Sequence, residues 1–64
     1  MNQIKKARLS EGLTQEELAE KLGISTVSVC KWETGKAFPA VKRLKEVADA
    51  LHTTVSELLN EEAG

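Results

Sequence analysis

Two helix-forming stretches joined by only three residues, Gly23-Ile24-Ser25, constrain this chain more than any other feature. The first stretch opens on a clear start signal: Thr14 is followed three residues later by Glu17, the spacing of a capping box, and Leu13 can staple to Leu18. The second repeats the pattern, with Ser25 as N-cap and Ile24 placed to staple to Val29. So short a connection between helices of about eight residues forces a sharp crossing of roughly 90–120°. Such a crossing needs a small residue at the contact, and Ala19 is placed for it, while Gly23 takes the turn position that a β-carbon would strain. Leu18, Leu22, Val29 and Trp32 are expected to close the core beneath.

The rest of the chain follows the same grammar. Aromatic residues are nearly absent, β-branched runs are missing, and turn signals punctuate apolar spacings of three and four. The expected fold is all-α with five short helices. The first covers about residues 2–11, with Ile4 and Ala7 inward and Gly12 as its stop. The second runs to about Leu22 and the third ends near Thr34-Gly35. Phe38-Pro39 forbids helix just before Pro39 and permits it just after. The fourth helix, about residues 40–51, is expected to bury Val41, Leu44, Val47, Ala48 and Leu51. The fifth, about residues 55–60, starts at Thr54 with Glu57 completing another capping box. Sixty-four residues make one domain, 1–64, with an acidic tail at about 61–64 expected to fray.

Charge is uneven. The net charge of −1 argues at first against a nucleic-acid partner, yet residues 31–45 carry Lys31, Lys36, Lys42, Arg43 and Lys45 against Glu33 alone. A concentrated basic patch matters more for phosphate binding than the total, although a solvated charged surface looks the same on charge alone. No apolar run approaches a membrane span, and the first residues lack the apolar stretch of a secretory leader. The single cysteine, Cys30, excludes an internal disulfide and fits a reducing, cytoplasmic setting.

The tight corner leaves the outer face of the third helix uncovered: Thr26, Val27, Lys31 and the edge of Ser28. In a helical corner of this kind the second helix enters the major groove of double-stranded DNA with its first residues on base edges. The side chains suit that place. Lys31 can donate to guanine O6 and N7, Val27 and the Thr26 methyl can meet a thymine methyl, and the Thr26 hydroxyl can pair with either base type.

The run Leu13-Thr-Gln-Glu-Glu-Leu-Ala-Glu-Lys-Leu-Gly-Ile-Ser25, with Val29-Cys-Lys-Trp-Glu-Thr-Gly-Lys36 and the stretch from Pro39 to Leu51, resembles the Cro/cI-type, or XRE, helix-turn-helix family over about residues 4–60. The resemblance implies a five-helix lambda-repressor-like domain with the motif at helices two and three. It implies that Gln15 touches phosphate or a base edge, that Thr26, Val27 and Lys31 read bases, that Ser25 and Ser28 help at the backbone or base edge, and that Lys36 binds phosphate. It also implies a structural salt bridge between Arg8 and Glu33. Each lies beside core positions, where a lone buried charge would be expensive. The chain departs from the pattern at Ala40, where a serine cap is common, at Thr53, where an apolar staple is common, and at Cys30, where serine is common. Cys30 is expected to be small and partly buried, with only Lys31 nearby to activate its thiol.

Function follows as a choice between classes. The leading expectation is a small bacterial or phage transcriptional regulator, most simply a repressor, binding a (pseudo)palindromic operator as a homodimer. One module makes few base contacts, each discriminating by about 1–3 kcal/mol, so two modules on adjacent half-sites are the usual solution. Val55, Leu58 and Leu59 exceed what one small core needs and are expected at the dimer surface. The alternative is a protein-interaction module of the same fold, such as an antitoxin. An enzyme is rejected: His52 has Asp49 one turn back and Ser56 one turn on, but a helix boundary separates them and no oxyanion loop exists. One Cys and one His make no metal set, no glycine loop cradles phosphate, and no cofactor, small-molecule ligand or membrane partner is expected. Trp32 is expected in the core rather than stacked on a base.

Overall fold

The structure, a computed structural model, describes residues 2–59. Five helices follow one another: α1 (Gln3–Ser10), α2 (Gln15–Leu22), α3 (Thr26–Thr34), α4 (Val41–Ala50) and α5 (Val55–Leu59), and no strand occurs among the described residues. The expected end of the fifth helix at Asn60 and the acidic tail lie outside the described residues.

The start signals work as their chemistry requires. At α2 the Thr14 hydroxyl accepts from the Glu17 amide at 3.0 Å and the Glu17 carboxylate accepts from the Thr14 amide at 2.8 Å, a closed capping box. Ser25 accepts from the Ser28 amide at 3.4 Å to begin α3, and the Thr54 hydroxyl accepts from the Glu57 amide at 3.1 Å to begin α5. Ala40 has no side-chain oxygen to offer, and α4 starts without a side-chain cap.

Four helices end in one backbone closure, in which an amide reaches back five residues: Leu13 to Arg8, Ile24 to Ala19, Lys36 to Lys31 and Thr53 to Ala48, at 2.9–3.1 Å. This satisfies carbonyls the helix end leaves free, and it requires a left-handed residue just before the donor. Gly23, at φ +69°, fills that place in the α2–α3 corner, and glycine serves α1 and α3 likewise. After α4 the residue is His52, at φ +55°, the only described non-glycine residue with positive φ. No sequence signal marks that turn, since Gly is the usual residue there.

The core lies at the centre of the five helices. Leu18, Val29, Val47 and Leu51 are its largest fully buried side chains, joined by Ile4, Trp32, Leu44 and Leu58. Each such side chain contributes about 1.5–3 kcal/mol by leaving water. Ala19 is buried at the α2–α3 contact, as its size allows. Two burial expectations fail. Val41 is 73% exposed: it shares the side of Leu44 and Ala48, but it begins α4, beyond the end of the core that those two residues enter. Leu58 is only 4% exposed: it completes this chain's own core where α5 meets α1 and α4, so it is not free surface for a partner. Val55 is half-buried against the same core, which leaves Leu59, 52% exposed, as the outward apolar residue of α5. Thr53 is half-buried between the turn after α4 and the start of α5.

Candidate nucleic-acid interface

The α2–α3 corner sets the presentation of α3. Val29 and Trp32 point into the core, and their spacing of three fixes which side of the helix remains outside. On that side Val27 is 61% exposed and Lys31 is exposed, while Thr26 and Ser28 are half-buried. Ser25 is exposed, with its hydroxyl 3.3 Å from that of Ser28, so the two serines first serve the helix start. Lys36 is exposed just past the Gly35 turn. Cys30 is exposed rather than partly buried, because the turn of α3 that buries Val29 carries the next residue out to solvent.

A buried ion pair holds α3 against α1. The Arg8 Nε donates to Glu33 Oε2 at 2.7 Å and Nη2 donates to Oε1 at 3.0 Å, a two-pronged match of planar groups. The third prong, Nη1, donates to the Leu13 carbonyl at 2.7 Å, so one guanidinium ties α1, the loop before α2 and the end of α3. The Arg8 and Glu33 side chains are only 8% and 2% exposed. Burial alone would push the Glu33 carboxyl up, but hydrogen bonds from Arg8 and Gln15 and the nearby positive charge outweigh it and hold the group below its ordinary range. The hydrogen bond to Glu33 in turn raises Arg8.

Gln15 enters this network. Its amide nitrogen donates to Glu33 Oε1 at 3.0 Å, and the side chain is half-buried rather than extended freely into solvent. One face of the amide is therefore fixed by the ion pair. The sequence offers no signal for this, because Gln15 and Glu33 are 18 residues apart.

The basic stretch is smaller than the sequence count suggests. Arg43 Nη1 donates to the Leu22 carbonyl at 3.2 Å and to Glu46 Oε1 at 2.6 Å, so this charge closes the end of α2 and pairs locally. The spacing of three to Glu46 is legible in the sequence; the reach to Leu22 is not. Asn2 is a further tie that sequence reasoning misses. Its Oδ1 accepts from the Ile4 and Lys5 amides at 2.8 and 3.2 Å to cap α1, and its Nδ2 donates to the Trp32 carbonyl at 2.7 Å. Asparagine before a helix is a readable cap signal; its reach to α3 is not. His52 Nδ1 lies 2.8 Å from a Glu11 carboxylate oxygen, so the imidazole meets the end of α1 rather than Asp49 or Ser56. No helix among the described residues is long and apolar enough to cross a membrane.

A helix-turn-helix family profile matches residues 4–58. The chain belongs to the helix-turn-helix family. Within it, the HTH-type transcriptional activator BcrR of Enterococcus faecalis is 39% identical over 59 residues, 92% of this chain and 29% of BcrR. The cryptic phage CTXphi transcriptional repressor RstR of Vibrio cholerae is 40% identical over 45 residues, 70% of this chain and 40% of RstR. The SPbeta prophage-derived HTH-type transcriptional regulator YonR of Bacillus subtilis is 38% identical over 56 residues, 88% of this chain and 52% of YonR. The chain thus spans between about a third and a half of these helix-turn-helix relatives. No solved structure matches it significantly. By name these relatives are transcriptional regulators.

Proposed function

We propose that this helix-turn-helix domain binds double-stranded DNA in a sequence-specific manner and regulates transcription, as a homodimer on a (pseudo)palindromic operator. The observation that carries this reading is the outer side of α3, where Val27 and Lys31 are exposed beside Thr26 and no described element of the fold covers them. An exposed valine beside a lysine on an otherwise polar face suits a thymine methyl next to a guanine edge. Gln15 and Lys36 flank that face and serve as phosphate or edge contacts, with Ser25 and Ser28 at the start of the reading helix. Likeness to a phage repressor supports repression as the direction of control, by occupation of the operator.

Two copies on half-sites about 34 Å apart would double the base contacts. The test is selection of bound sequences from random DNA, followed by band-shift titration at two salt concentrations. The expected result is a two-fold-related consensus whose recognition weakens in folded Lys31→Ala and Thr26→Ala variants, by about 1–3 kcal/mol for each base contact removed. An unchanged consensus in both variants removes α3 as the reading element.

A further inference from the structure

A second feature of the fold lies away from α3. Between α1 and the α4–α5 turn is a cavity of about 250 Å³, floored by Ala7, Leu51 and Leu58. Gln3 lines it. This glutamine is 8% exposed, and its side-chain nitrogen is buried with no hydrogen-bond partner among the described residues. A buried amide donor without an acceptor is costly, and a ligand that brings an acceptor removes the cost. Two side chains of opposite charge stand on the cavity's walls, Lys6 of α1 and Glu57 of α5, and neither belongs to an ion pair among the described residues. The other titratable groups on the walls, Glu11 and His52, are engaged with each other at 2.8 Å. The sequence carries no sign of this grouping, because Gln3, Leu51 and Glu57 come together only in the fold.

We propose that this cavity binds a free amino acid with an apolar side chain: its carboxylate accepts from the Gln3 amide beside Lys6, its ammonium faces Glu57, and its side chain lies on Ala7, Leu51 and Leu58. Three observations select this class of ligand. The volume falls below the about 300 Å³ at which pockets for drug-sized molecules begin, so the ligand is small. The walls offer one unpaired positive charge, one unpaired negative charge and an orphan amide donor, and a zwitterion answers all three. A plain carboxylate would leave Glu57 without a partner, and a plain amine would leave Gln3 without an acceptor. The floor is apolar, so the rest of the ligand gains by leaving water there. The site stands apart from the DNA-reading face, since α3 contributes no residue to it. Its ligand bridges α1 to α5.

The test is NMR titration of the isotope-labelled full chain, without DNA, with L-leucine and with its two truncated analogues: isocaproate, which lacks the amino group, and isoamylamine, which lacks the carboxylate. L-valine and L-phenylalanine probe the size of the side chain. The expected result is saturable movement of the Gln3 side-chain amide together with the backbone amides of Ala7, Leu51 and Leu58. The analogue of whichever amino acid binds best should bind about tenfold more weakly when either charged group is removed. Gln3→Met keeps the size and removes the donor, and it should lose about as much affinity. This variant should melt no lower than the wild type, since it no longer buries an orphan donor, so its weaker binding is not a failure to fold. The amino acid should also raise the melting temperature of the wild type, because only the folded chain has the site. No saturable movement with any of the three amino acids overturns the proposal. So does a truncated analogue that binds as tightly as the intact amino acid, and so does binding that Gln3→Met leaves unmoved. None of these outcomes bears on α3 as the DNA-reading element, which the titration does not use.

Discussion

Arg8 and Glu33, 25 residues apart, meet through two near-parallel hydrogen bonds of 2.7 and 3.0 Å with almost no access to water. The pair joins α1 to the last turn of the exposed helix, so its integrity is a condition for how α3 is presented.

Removing one partner leaves the other buried and uncompensated. Glu33→Ala should therefore cost about 3–5 kcal/mol, comparable with the whole stability of so small a domain. The check is a thermal melt by circular dichroism, with the cooperative transition lost or displaced by tens of degrees. The pH dependence has a definite sign. The folded Glu33 carboxyl sits below the ordinary 4.5, so its contribution is complete above that value and is lost as acid carries pH down through the folded value. Urea midpoints should fall between neutral pH and pH about 3, and less steeply in Glu33→Gln, which has no such group to protonate.

Lys36 and Lys31 should separate by the kind of DNA binding they lose. A lysine that meets only phosphate weakens binding evenly across sequences and lowers the salt slope by about 1 when replaced by alanine. Lys36→Ala should behave that way. Lys31→Ala should also flatten the preference at one base position. Affinity measured on matched and mismatched operators at several salt concentrations resolves the two.

Arg43 should look structural in the same assay. Its guanidinium closes the Leu22 carbonyl at the end of α2, and loss of such a charged hydrogen bond costs about 1–2 kcal/mol, part of it discounted because the side chain is 38% exposed. Arg43→Ala should lower the melting temperature and leave the salt slope as it was. A slope reduced by a full unit would assign Arg43 to phosphate instead.

His52→Gly should stabilise the domain. The turn after α4 demands the left-handed conformation that glycine supplies at the ends of α1, α2 and α3, and holding a residue with a β-carbon there costs about 1 kcal/mol. The pairing with Glu11 that the substitution removes is largely solvent-exposed and worth little. The melting temperature should rise by about 4–8 °C for each kcal/mol gained in a domain of this size.

The fold is legible because its signals are local. Thr14 with Glu17, Ser25, Gly23 and Pro39 each act within a few residues, and they suffice to set five helices and the corner between two of them. Contacts made across the fold are not legible. Gln15 meeting Glu33, Asn2 meeting Trp32 and Arg43 meeting Leu22 depend on how helices stack, which no spacing encodes. Burial errs for a related reason. Val41 has the right spacing to face inward, but it begins α4, where the core has already ended. Leu58 looks surplus only because the space between α1 and α4 is not visible in a linear pattern.

The way α5 is anchored has a dynamic consequence. The described part of α5 is held to the rest of the domain by Leu58, which is buried, and Val55, which is half-buried against the core. Held by so few buried side chains, this segment should open more readily than α2 and α3, and its backbone amides should exchange with solvent before theirs. Whatever covers the outside of α5 also governs how often it comes loose, which couples the lifetime of that last helix to the company the chain keeps.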